Sequence, residues 1–152
     1  MSSFKDKKRP VLSAKGMRFG IALSRYNSPV TTRLLSGAQK VLSKFGAKGV
    51  DLLIVPGAFE IPYTLKKLAF RKKYDALIAL GCVIRGETPH FDFLCEGVTS
   101  GTMKVMLDEK IPIAFGLLTT NNLKQALART GGKAGHKGEE AALVAIEMAQ
   151  LK

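Results

Sequence analysis

A chain of 152 residues is one ordinary domain, long enough to bury roughly 68–70% of the surface its unfolded form exposes. With 46% hydrophobic residues and a mean hydropathy of +0.08 it is no disordered polymer, and no apolar run approaches the ~20 residues that span a bilayer. Lys and Arg number 24 against 12 Asp and Glu, and the resulting +12 suits anionic partners: nucleic acid, an acidic membrane surface or a phosphorylated substrate.

Part of the basic surplus lies at the N-terminus, where Lys5, Lys7, Lys8 and Arg9 precede any periodic pattern. Residues 1–15 are expected to form a basic, flexible arm, more a solvated terminus than an RNA-binding element. The arm lacks a signal peptide's apolar core, so the cytoplasm is the expected location. An apolar run at 18–23 reads as a buried strand. Residues 29–45 then gather Val30, Leu34, Leu35, Ala38, Val41, Leu42 and Phe45 on one helical face. Ser28 is the expected cap of that helix, Pro29 its first position and Gly46 its stop.

A second strand is expected at 50–55 and a second helix at 60–72. The third strand reads as 75–80, and the third helix as 91–109, interrupted by Gly97 and Gly101. A fourth strand follows at 113–118. Helices at 122–129 and 139–151 close the chain, joined by TGGKAGHKG as a flexible turn. Strands alternating with helices at this spacing imply βαβ units and right-handed crossovers. The expected fold is α/β: a flavodoxin-like three-layer α/β/α sandwich on a four-stranded parallel sheet. Neither repeat nor linker divides it, so residues 1–152 form a single domain.

In open α/β sheets ligands bind beyond the carboxyl ends of the strands. Here those ends are SRYN (24–27), PGAFE (56–60), GCVIRGETPHFD (81–92) and FGLLTTNN (115–122). Gly86 allows close backbone approach, Thr88 adds a hydroxyl, and His90 carries an imidazole suited to proton transfer near neutrality. The plainer reading makes Thr88 a helix cap and His90 a solvated loop residue. In PGAFE, Gly57 and Ala58 are small enough to admit a ligand, Phe59 supplies an apolar wall, and Glu60 accepts from hydroxyls. That segment reads equally well as a turn with Phe59 in the core and Glu60 at a helix start. Tyr26 suits stacking on a planar heterocycle, although a lone Tyr more often packs.

Arg129 suits bidentate grip of a phosphate, against the plain alternative of a solvated charge. The glycine-rich run after it lacks GxxxxGK[ST] and follows a helix, so it is weak as a phosphate loop. Cys82 and Cys95 stand thirteen positions apart without metal-type spacing and read as reduced core thiols. No Ser-His-Asp order and no GxGxxG appears. The residues alone point to an α/β enzyme using no cofactor or metal, acting on a small anionic substrate with His90 moving protons.

From residue 18 to 151 the chain resembles the 6,7-dimethyl-8-ribityllumazine synthase family, through SRYN, LLSGA, VPGAFEIP, YDALIALGCVIRGETPHFD, FGLLTT, KAGHKG and AALVAIEMA in that order. VPGAFEIP together with GCVIRGETPHFD is the specific part. The resemblance implies condensation of 5-amino-6-ribitylaminouracil with 3,4-dihydroxy-2-butanone 4-phosphate, the penultimate step of riboflavin biosynthesis, without a cofactor. It implies proton transfer by His90, stacking on Tyr26, and a ribityl chain held by Ala58, Phe59 and Glu60. Cys82, Val83 and Ile84 line the ring's polar edge, largely through backbone. Glu87 and Thr88 fall where phosphate is held, Arg129 matches its clamp, and Lys137 supports that region. Phe115 matches a ring-facing residue of the neighbouring subunit.

By the same resemblance the sites lie between adjacent subunits of a pentamer. The uninserted TGGKAGHKG resembles the type that builds a 60-subunit shell, and riboflavin synthase is a candidate partner. Neither membrane nor nucleic acid is implied. Tyr26 stands where Phe or Trp is usual, Asn121 and Asn122 where an acidic residue is common, and His136 where Asn is frequent. Arg85 is left without a role. A competing reading is an inactive basic shell or scaffold that binds nucleic acid or cargo, but the intact motif blocks favour the enzyme. A flavin-binding module would need a Ser/Thr/Gly phosphate loop after the first strand, which is missing.

Overall fold

The structure, a computed structural model, describes residues 10–151. Its centre is a four-stranded parallel sheet in the order β2-β1-β3-β4, with β1 Arg18–Ser24, β2 Gly49–Val55, β3 Ala76–Ile84 and β4 Ile113–Thr120. The central strands β1 and β3 are nearly continuous apolar runs because both their faces are covered, whereas edge strand β2 leaves Val50 and Ile54 exposed. One apolar cluster joins Phe19, Ile21, Leu23, Ile78, Leu80 and Leu118 to helices α1 (Ser28–Lys44) and α5 (Lys137–Ala149). The other joins Ala22, Leu77, Ala79, Val83 and Leu117 to α2 (Ile61–Phe70) and α3 (His90–Glu109). The molecule is therefore the three-layer α/β/α sandwich expected. A short α4 (Leu123–Ala128) follows β4 and adds Ala126 to the first cluster.

Four local expectations need correction. The third strand does not stop at Leu80 but runs on to Ile84, through a glycine that a strand pattern usually lacks. Gly81 is required there: a Cβ would lie 2.6 Å from Ser24 Oγ and 2.7 Å from Leu117 Cδ1. Ser28 is the first helical residue of α1 rather than its cap. The residue before it, Asn27, is left-handed (φ 63°), a conformation Asn tolerates, and its side chain is used elsewhere.

The expected flexible turn between the last two helices is instead an antiparallel hairpin, β5 (Thr130–Gly132) with β6 (Gly135–His136). Gly131 and Gly135 supply its positive φ angles, and His136 Nδ1 caps α5 by accepting from the Glu139 N–H at 3.2 Å. Helix α3 passes through Gly97 and Gly101 unbroken.

The first nine residues of the basic arm lie outside the described residues. Its later part touches the body. The Ser13 N–H donates to Gln150 Oε1 (2.8 Å), Gln150 Nε2 donates to the Val11 carbonyl (3.2 Å), and fully buried Ala14 donates to the Phe45 carbonyl (2.8 Å).

Candidate active site

The cleft arises from a parting of strands at the carboxyl edge of the sheet. β1 pairs with β3 only as far as Leu23 opposite Leu80, whereas β3 and β4 stay paired to Ile84 opposite Thr120. Beyond Ser24 the chain follows β2 instead: the Arg25 N–H donates to the Val55 carbonyl (2.9 Å) and the Tyr26 N–H to the Pro56 carbonyl (3.1 Å). The widening gap is a cleft of about 630 Å³. Asn27 bridges its floor, with Nδ2 donating to the Cys82 carbonyl at 2.8 Å.

That hydrogen bond fixes which backbone groups face the cleft. Carbonyls and amides of successive strand residues point to opposite neighbours. The Ile84 amide and carbonyl therefore face the same way as the Cys82 carbonyl, with no strand beside them. The Cys82 side chain is buried in the α1/α5 cluster, and burial pushes its thiol from an ordinary 9.0 up to about 11. It is a protonated thiol at neutral pH. Cys95, half-buried on α3, is also free, its thiol raised first by burial and then by the nearby Asp92 carboxylate.

Three aromatics stand open at the cleft, Tyr26 at 72%, Phe59 at 71% and Phe93 at 73% exposure, the opposite of the packed state their composition favours. Ala58 is buried at the start of a single 3-10 turn, Ala58–Glu60. The Glu60 carboxylate is held by the Gly57 N–H, which donates to Oε2 at 3.0 Å. Oε1 has no partner among the described residues, so it can accept from a hydroxyl.

The fourth wall is the exposed loop from Gly86 to Pro89 and the first turn of α3. Thr88 is not a true cap: its Oγ1 receives only a 3.4 Å contact from the His90 N–H, and no side chain caps α3. Among the described residues the amides of Gly86, Glu87 and Thr88 have no partner. Free amides before a helix start favour an anion. His90 opens α3 with an exposed imidazole lining the cleft.

The cleft thus unites Tyr26, Ala58, Phe59, Glu60, Cys82, Val83, Ile84, Thr88 and His90. It does not include Glu87, Phe115, Arg129 or Lys137. Phe115 is 43% exposed on edge strand β4. Arg129 and Lys137 flank the hairpin, joined by the Lys137 N–H donating to the Arg129 carbonyl at 2.9 Å. Arg129 Nη1 donates to the Gln125 carbonyl (2.9 Å) and Lys137 pairs with Glu140 (2.8 Å). Sequence reasoning passed over Asn27, Phe91, Phe93 and Leu94, which also line the cleft. Only Asn27 carried a usable signal, as a residue tolerant of a left-handed turn at a strand end. Among the described residues no group of three or more His, Cys, Asp or Glu could hold a metal, and no helix is long and apolar enough to cross a membrane.

A cleft of this kind at the carboxyl edge of an open parallel sheet is the small-molecule site of an α/β/α protein. The family model for 6,7-dimethyl-8-ribityllumazine synthase matches residues 16–152. A 6,7-dimethyl-8-ribityllumazine synthase of Clostridium kluyveri is 50% identical over 142 residues, covering 92% of each chain. One of Syntrophus aciditrophicus is 51% identical over the same length and coverage. The chain belongs to the 6,7-dimethyl-8-ribityllumazine synthase family, whose members are transferases of riboflavin biosynthesis.

Proposed function

We propose that the chain condenses 5-amino-6-ribitylaminouracil with 3,4-dihydroxy-2-butanone 4-phosphate to 6,7-dimethyl-8-ribityllumazine, releasing one phosphate and two waters. The observation that carries the proposal is the convergence, in one cleft, of chemically distinct walls: open aromatics, an unpaired strand backbone, an anchored carboxylate, free loop amides and His90. The pyrimidine stacks on Tyr26 and meets the Cys82–Ile84 backbone with its polar edge. Its ribityl chain runs along Ala58 and Phe59, with hydroxyls donating to Glu60. The phosphate of the second substrate sits on the Gly86–Thr88 amides and the Thr88 hydroxyl.

Holding two substrates face to face converts a bimolecular attack into a near-unimolecular one. The pyrimidine amine attacks the ketone carbon, water leaves to give an imine, phosphate is eliminated, and the ribityl-bearing nitrogen closes the ring with loss of the second water. Each step moves a proton, and His90 is the group in the cleft fitted to shuttle it. Cys82 is no nucleophile, since its sulfur is buried away from the cleft and protonated.

Phe115, Arg129 and Lys137 lie outside the cleft of their own chain, which favours a site completed by a neighbouring subunit of a pentamer. There Phe115 would face the ring, and Arg129 and Lys137 would neutralise the phosphate. Glu87, beside the phosphate amides, would orient the loop. The reaction belongs in the cytoplasm, where free Cys82 and Cys95 stay reduced. Incubation with both substrates, followed by product fluorescence and mass, tests the activity; absence of the lumazine overturns it. Light scattering tests the assembly, with a monomer as the contrary result and a pentamer or a 60-subunit shell as the supporting ones.

A further inference from the structure

We propose that Arg85 is a positioning residue that holds His90 over the cleft, acting through Asp92 and Phe91 on the first turn of α3 and through Asn121 beyond β4. The inference rests on the reading of His90 as the proton-transfer group. Its starting point is that the His90 imidazole has no hydrogen-bond partner among the described residues. Its place is set only by the backbone that carries it. That backbone follows an exposed four-residue loop and begins a helix with no side-chain cap, so local structure holds it weakly.

Arg85 supplies the missing anchor. Its own N–H donates to the Thr120 carbonyl at 2.8 Å, so it starts from the rigid end of the β3–β4 pair. Nη1 and Nη2 donate to Asp92 Oδ2 and Oδ1, each at 3.2 Å, and Nε donates to Asn121 Oδ1 at 3.1 Å. The guanidinium carbon lies 4.4 Å from the centroid of the Phe91 ring, which is itself 9% exposed and lines the cleft. One planar group therefore grips the two residues directly after His90 and ties them to the end of β4. Only a fork with donors on three nitrogens can do this; an ammonium cannot.

The pair is open to solvent, with side-chain exposures of 43% and 59%, and exposed pairs add little to global stability. Its consequence is geometric. A displacement of about 1 Å at a reacting group costs on the order of 10²-fold in rate.

The test compares wild type with Arg85→Met, Arg85→Lys, Asp92→Asn and the Arg85→Met/Asp92→Asn pair. Arg85→Met is expected to lower kcat roughly 10- to 100-fold with KM for both substrates within about twofold and an unchanged melting temperature. Arg85→Lys should not rescue it. The double variant should be no slower than Arg85→Met alone, because both changes cut the same link. An unchanged kcat, additive losses, or a rise in KM alone would each overturn the proposal, the last by making Arg85 a substrate ligand. If Arg85→Met does not fold, Asn121→Ala cuts one arm and should still lower kcat, and full activity there overturns it. Crystal structures of wild type and Arg85→Met supply a readout independent of activity: His90 should shift by about 1 Å, and an unmoved His90 overturns the claim. Wild type that forms no lumazine, with His90 displaced in Arg85→Met, would sink the proposed function while leaving the anchor intact.

Discussion

The two halves of β3 share one strand and differ in every physical respect that matters. Leu77 to Leu80 is paired on both edges and fully buried, so its hydrogen bonds and side chains are spent on the fold. Gly81 to Ile84 keeps β4 on one edge but loses β1 on the other, and its place is taken by Asn27 and open space. The same backbone that stabilises the sheet in the first half becomes a row of hydrogen-bonding groups facing a cleft in the second. The cleft is made here by withholding a partner strand rather than by adding special residues.

Substitutions in the two halves, and at the cleft wall beside them, should separate stability from turnover. The largest effect is expected outside the strand: His90→Ala should cut kcat by roughly 10²- to 10⁴-fold without moving the denaturation midpoint, since the imidazole is exposed. Retained turnover would remove His90 from the chemistry. In the first half, Leu80→Ala removes a fully buried side chain and should cost ~2–5 kcal/mol in urea unfolding, with kcat unchanged per folded molecule. Gly81→Ala stands at the junction. Its new methyl would press on Ser24 Oγ, Leu117 Cδ1 and Ile61 Cδ1, costing ~1–3 kcal/mol and displacing the cleft floor, so stability and activity should fall together. A Gly81→Ala protein with wild-type activity would show that the floor is softer than its contacts suggest.

How far each half could be read from the sequence follows from the same contrast. DALIAL is a continuous apolar run, and such runs announce a doubly covered strand. After Leu80 the glycine and the polar crowding of RGETPH look like a loop, because the pairing with β4 that extends the strand is long-range. The hairpin at Thr130–His136 was illegible for a related reason: two strands of three and two residues carry no periodicity, and glycines with positive φ set their shape. Ser28-Pro29 resembled a helix start so well that it hid Asn27, whose amide is committed to Cys82. Tyr26, Glu60, Ile84 and His90 were legible as one group because each ends a strand of one parallel sheet or follows such an end. Phe115 was assigned to a neighbour's site only through the family resemblance, and Arg129 and Lys137 carry no sequence mark that separates a residue of this cleft from one that would serve a neighbour's.

Cys82 gives the smallest and most specific test, since it belongs to the open half by backbone and to the closed half by side chain. With its thiol at 9.0 when unfolded and about 11 when folded, the folded chain retains a proton that the unfolded chain gives up between those values. Stability contributed by the neutral buried thiol is therefore complete below pH 9 and lost as pH rises toward 11. One pH unit above the unfolded value the loss is about 1.4 kcal/mol. Urea unfolding of wild type and Cys82→Ala at a series of pH values isolates this contribution, because all other titrations are common to both. The difference between the two proteins should be flat below pH 9 and shrink above it. A difference that stays flat through pH 10 would mean that the sulfur is solvated from the cleft, and that the division between an open backbone and a closed side chain at Cys82 is wrong.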